Sequence, residues 1–116
     1  MKWGLVCNFY IKKACSITED LHKFLTKHGE VFPEEHISKN LNTKGYNLEE
    51  INKKADLVVT VGGDGTILRA LEKIEKPIFA INCGGMGFLT EVEPENAKNA
   101  LQRIIDGNTT LRREQN

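Results

Sequence analysis

Apolar positions along the chain alternate between two rhythms. Residues 3–9 are almost continuously apolar, as in a strand buried on both faces. Ile17, Leu21, Phe24 and Leu25 then recur at helical spacing, and Gly29 offers a stop. The match of Ser16-Ile17-Thr18-Glu19 to a capping box starts this helix there or one turn earlier. Residues 30–32 form a short second strand. Residues 33–47 are polar, with Pro33, Gly45 and several Asn and Lys, and read as a surface connection free to move. Asn47 caps a short helix that runs to Lys54. Residues 56–61 form the central strand. Ile67, Leu68, Leu71 and Ile74 then fall on one helix face, and Pro77 stops that helix near Lys76. Residues 77–82 make another short buried strand. Pro94 stands at the first position of a last helix, whose apolar stripe is Ala97, Ala100, Leu101, Ile104 and Ile105. Gly107 ends it.

Strands that alternate with helices predict an α/β fold, a mostly parallel sheet with helices on both faces. Ligands of such sheets bind beyond the carboxyl ends of the strands. Two glycine-rich loops, at 62–66 and 83–87, stand at such ends and so line one crevice.

Composition narrows the function classes. The 116 residues suffice for one domain and are short for two. Sixteen basic and sixteen acidic side chains give a formal net charge of zero, so no basic face speaks for a nucleic-acid partner. No apolar run approaches the roughly 20 residues that cross a bilayer, and the amino terminus reads as a strand rather than a signal peptide. Cys7, Cys15 and Cys83 are an odd set without a C-x-x-C pair, which predicts a reducing cytoplasm and neither a disulfide framework nor a zinc site. His22, His28 and His36 lack metal-ligand spacing and read as surface or helix-face residues.

The chemistry lies in the run Val61-Gly62-Gly63-Asp64-Gly65-Thr66, where a strand turns tightly into a helix. Unpaired N–H groups and a partial positive charge at a helix start attract phosphate. Glycines let the backbone approach a ligand closely. Asp64 is placed to meet a hydroxyl or a metal, or else either it or Thr66 caps the helix. The chain has no G-x-x-x-x-G-K-[ST] loop, and no G-x-G-x-x-G follows its first strand. A nucleotide site here therefore uses a different loop.

A second motif follows at Asn82-Cys83-Gly84-Gly85-Met86-Gly87-Phe88-Leu89-Thr90-Glu91. In this order and spacing, the two motifs resemble the ATP-NAD kinase family. Asn8 after the first strand and the segment before Gly62 resemble that family as well, and the likeness covers nearly the whole chain. The resemblance implies transfer of the γ-phosphate of ATP, or of inorganic polyphosphate, to the 2′-hydroxyl of the adenosine ribose of NAD, which makes NADP. It implies Asp64 as the residue that accepts the ribose hydroxyl proton or orients that hydroxyl. Gly63, Gly65, Thr66, Arg69, Asn82, Gly84, Gly87, Phe88 and Leu89 are the implied substrate-binding residues. Arg69 otherwise reads as an exposed helix arginine, and Phe88 and Leu89 as core. A divalent metal, Mg²⁺, is the implied cofactor, since it bridges transferring phosphates; no protein ligands for it are identified. Cys83 reads as a small filler rather than a nucleophile.

The family pattern continues with a β-rich second domain that completes the site. The expectation is an α/β nucleotide-binding unit over residues 1–107, with 108–116 as the start of that second domain. The chain then reads as an inactive amino-terminal fragment of a cytoplasmic kinase that is a homo-oligomer at full length. The alternatives are a diacylglycerol-type lipid kinase and a non-catalytic nucleotide-binding module. The loop at 82–89 and the lack of a membrane-binding amphipathic surface speak against the first, and an intact Asp64 speaks against the second.

Overall fold

The structure, a computed structural model, describes residues 1–83 and 92–107. Four strands form one parallel sheet: β1 (Lys2–Cys7), β2 (Glu30–Pro33), β3 (Leu57–Gly62) and β4 (Ile78–Asn82), in the order β2-β1-β3-β4. Their side chains alternate between two cores. Trp3, Leu5 and Cys7 join Val59, Val61 and Ile81 on one face, while Val6, Phe32 and Val58 lie on the other.

The first face is covered by α1 (Lys12–Thr26), α2 (Glu35–Leu41) and α5 (Ala97–Ile105) through Leu21, Leu25, Ile37 and Leu101. The second is covered by α3 (Leu48–Lys54) and α4 (Asp64–Leu71) through Ile51 and Ala70. Both faces of the sheet are thus dry, which is why its strands read as apolar runs. The expected α/β class with helices on both faces is the one observed.

Several local expectations need correction. The first strand ends at Cys7, and Phe9 and Tyr10 form an exposed turn instead of extending it. Helix α1 starts at Lys12, one turn before Ser16, which is the earlier of the two expected starts. The apparent capping box lies inside that helix, where buried Thr18 donates its hydroxyl to the Ala14 carbonyl at 2.7 Å. Residues 33–47 are not simply a loop. They hold α2, whose Ile37 is buried, and the segment is tied back through the Glu34–Tyr46 bridge. Pro33 and Gly45 flank that helix rather than break it.

Asn47 does cap α3, in a full capping box with Glu50. Helix α4 ends at Leu71, earlier than Pro77 requires. Residues 72–76 leave the helix to contact α3, where Glu75 N–H donates to Asn52 Oδ1 at 2.7 Å and Lys76 Nζ to the Ala55 carbonyl at 2.7 Å. The buried positions of α4 are Thr66, Ile67 and Ala70, with Ile74 reaching the core from beyond its end. Leu68 and Leu71 are 56% and 38% exposed, so they do not belong to the buried stripe. Pro94 opens a 3₁₀ turn (Pro94–Asn96) that leads into α5.

No helix among the described residues is long and apolar enough to cross a membrane. All three cysteines are free. Burial pushes the Cys7 thiol up to about 12, and it also raises Cys83. Alkylation of the folded chain near pH 8 is therefore expected to label Cys15 alone, with Cys7 and Cys83 reacting only in denaturant. Mass spectrometry of the labelled chain checks this. Rapid labelling of all three without denaturant contradicts it. The folded state also holds the Cys7 proton more tightly than the unfolded chain does. That contribution to stability is complete below about pH 9 and is lost as pH rises towards 12.

Candidate functional site

The strand order places a topological switch between β1 and β3. The chain leaves β1 towards β2 on one side, then returns across β1 to build β3 and β4 on the other. Open α/β sheets bind ligands at the carboxyl ends of the strands where the order reverses. Asn8 follows β1 and Gly63-Asp64-Gly65 follows β3, so these residues flank that point.

Close packing builds the turn. The backbone of Gly62 comes so near to α4 that a Cβ there would lie 2.4 Å from Thr66 Oγ1 and 3.1 Å from Asn8 Cβ. Only glycine lets the β1 turn and the start of α4 close over the end of β3. Asn8 is further held by its N–H to the Val61 carbonyl at 2.9 Å, and its side chain accepts from Tyr10 N–H at 3.0 Å.

Gly63 and Gly65 are different. A Cβ at either would meet no atom within 4 Å among the described residues. Packing among the described residues therefore does not ask for glycine at either position.

Asp64 is the first residue of α4 and is half-buried at its mouth. The first amides of α4 belong to this residue and Gly65, the position where helices receive anions. Thr66 is buried, with its hydroxyl lying back against Gly62 and its N–H donating to the Gly63 carbonyl at 3.1 Å. Beside the turn lies a cavity of about 350 Å³. Gly65, Thr66 and Arg69 form one wall; Asn8, Phe9, Tyr10 and His36 form the other. Tyr10 is 92% exposed and packs edge-on against Phe9, which also tilts against His36.

Arg69 reaches this cavity from the second turn of α4. Its guanidinium forks onto the carboxylate of Glu34, with Nη2 at 2.9 Å from Oε1 and Nη1 paired to Oε2. Nη2 also donates to the Cys7 carbonyl at 3.3 Å. The Glu34 partnership raises the Arg69 pKa further above its ordinary value.

Asn82 ends β4 in register with Gly62, and its Nδ2 donates to Glu93 Oε2 at 3.2 Å. The next residue, Cys83, donates its N–H to the Gly62 carbonyl at 2.8 Å, which joins the start of the second loop to the first turn. Gly84, Gly87, Phe88 and Leu89 lie outside the described residues, as do residues 108–116. The structure thus brings Gly65, Thr66 and Arg69 to one cavity, with Gly63 and Asp64 on the turn beside it and Asn82 on the adjacent strand. Sequence reasoning missed Glu34, Phe9, Tyr10 and His36 as neighbours of that crevice. The only signal for Glu34 was an acidic residue straight after a short apolar strand.

Comparison with known proteins follows the same lines. A profile described as the ATP-NAD kinase N-terminal domain matches residues 3–109. The chain is 40% identical over 103 residues to an NAD kinase of Thermoplasma acidophilum, a match covering 85% of this chain and 37% of that protein. It is 35% identical to an NAD kinase of Chlorobium phaeobacteroides, covering 96% of this chain and 40% of that protein. Among solved structures, an NAD kinase from Archaeoglobus fulgidus in complex with ATP matches with a TM-score of 0.57 at 31% identity, over 93% of this chain and 38% of that one. A yeast NADH kinase complexed with NADH shares the fold, with a TM-score of 0.81 at 19% identity over 91% of this chain and 38% of the other. The chain spans about two fifths of the length of these two curated relatives.

Proposed function

Because the chain belongs to the ATP-NAD kinase family, we propose that it forms the nucleotide-binding part of an enzyme that phosphorylates NAD. The reaction moves the γ-phosphate of ATP, or of polyphosphate, to the 2′-hydroxyl of the adenosine ribose, and the product is NADP. The observation that carries this reading is Asp64 at the mouth of α4. It stands at the switch point of the sheet, beside a turn where a Cβ on Gly63 or Gly65 would meet none of the described residues.

In the proposed mechanism the Asp64 carboxylate accepts the proton of the attacking ribose hydroxyl, or orients that hydroxyl. The amides at the start of α4 face the phosphates. Gly65 lets the dinucleotide lie against the turn, and Arg69 contacts it. Gly63, Thr66, Asn82, Gly84, Gly87, Phe88 and Leu89 are the remaining substrate-binding residues of the proposal. Phosphoryl transfer asks mainly for positioning and charge stabilisation, which such residues supply.

Mg²⁺ is part of the proposal as a companion of the donor phosphates, whose charge it neutralises when bound. Among the described residues no group of three or more His, Cys, Asp or Glu side chains is arranged to hold a metal ion. The described residues therefore do not form a cage for a resident ion. A cytoplasmic location and a homo-oligomeric whole protein complete the reading.

The matched relatives are more than twice as long as this chain, so the 116 residues alone are proposed to fold without turning over. The test assays both the isolated chain and the whole protein with NAD, Mg²⁺ and either ATP or polyphosphate. NADP is expected from the whole protein only. NADP formed by the isolated chain overturns its proposed inactivity. No NADP from the folded whole protein with either donor overturns the kinase reading and favours a lipid substrate or a non-catalytic module.

A further inference from the structure

The Glu34–Arg69 pair joins the two sides of the crevice, and we infer that Glu34 is the positioning residue that aims Arg69 at the dinucleotide. The inference rests on the kinase reading and adds to it a residue outside both glycine motifs.

Glu34 is fixed from several directions. Its N–H donates to the Leu5 carbonyl at 2.9 Å, which extends the pairing of β1 with β2 by one residue. Its carbonyl accepts from Ile37 and Ser38, so the same residue opens α2. It also bridges to Tyr46. A carboxylate on such a backbone has little freedom to follow a mobile partner. The side chain of Glu34 is 5% exposed, whereas that of Arg69 is 39% exposed.

The asymmetry defines the roles. Glu34 is the buried anchor, and Arg69 is the part that faces the cavity beside Gly65 and Thr66. The guanidinium is planar, so a two-point grip by Glu34 and a third contact to the Cys7 carbonyl fix its plane as well as its place. The grip also neutralises its charge. Arg69 therefore meets the dinucleotide as an oriented donor and a flat face, not as a bare cation drawn to the nearest phosphate. An unpaired arginine one turn into α4 would have many rotamers, and ordering it on binding would weaken affinity.

The test compares wild type, Glu34→Gln and Arg69→Lys in the whole protein. One readout is the ¹⁵N NMR signals of the Arg69 guanidinium; the others are KM and kcat for NAD. Wild type is expected to show separate, slowly exchanging Nη signals, and Glu34→Gln to merge them. KM for NAD is expected to rise about ten- to a hundredfold in Glu34→Gln, the worth of a charge-assisted hydrogen bond, with kcat changed far less. Arg69→Lys, which keeps the charge but cannot fork, is expected to raise KM similarly. Averaged Nη signals in wild type overturn the inference without any variant. So does an unchanged KM in Glu34→Gln, whatever its NMR signals show. Should Glu34→Gln not fold, an unchanged KM in Arg69→Lys overturns it equally. Active wild type with any of these results removes the inference alone. Folded wild type that neither binds NAD nor makes NADP removes the kinase reading and the inference together.

Discussion

Asp64→Asn is expected to lower NAD phosphorylation by the whole protein about 10²- to 10⁴-fold, the usual contribution of a positioned proton acceptor. Asparagine has nearly the shape of aspartate, and the helix N-cap is Gly63 with no side-chain cap bond, so α4 should form as before. What disappears is the carboxylate on the turn between Gly63 and Gly65. The part of the loss due to the helix dipole is small, since one negative charge at a helix start contributes about 0.3–1 kcal/mol. The melting temperature is therefore expected to move little while kcat collapses. That pairing separates loss of chemistry from loss of fold. Activity within tenfold of wild type, in a variant of unchanged stability, removes Asp64 from the reaction and leaves it as a helix-start residue only.

Arg69→Met is expected to destabilise the fold by about 3 kcal/mol, because it leaves the Glu34 carboxylate buried without its partner. Breaking a buried ion pair by removing one member costs about 3–5 kcal/mol. The low end applies, because the Arg69 side chain is 39% exposed and water already screens part of the pair. The Cys7 carbonyl loses its guanidinium contact as well. The double variant Glu34→Leu with Arg69→Met is expected to recover most of the loss, since it buries no lone charge. Urea unfolding of wild type, both single variants and the double variant gives the coupling energy directly. Additive effects would mean that the two side chains contribute separately, and the fork between them would then have no part in holding β2, β1 and α4 together.

The sequence by itself settled most element types, the α/β class and the first glycine turn, but not α2. These depend on local rhythm: two-sided burial makes apolar strands, 3.6-residue spacing makes helices, and a strand that ends in glycines must turn. The capping box at Asn47 and the strand leading into Gly62 were legible for the same reason. Periodicity misled where tertiary contacts outvoted it. Leu68 and Leu71 fit the helical stripe, but α4 packs through Thr66, Ile67 and Ala70 and leaves them exposed. Residues 33–47 looked polar because α2 is a short helix that buries only Ile37 and Ser38.

Strand order was beyond local signals altogether. It rests on which strand completes the burial of which, and it decided that the turn after β1 meets the turn after β3. The same long-range packing carried Glu34, thirty-five positions from Arg69, to the other end of its side chain. A sequence names the groups able to do chemistry; their convergence on one crevice follows from non-local burial, because the free energy that closes a sheet depends on the whole core.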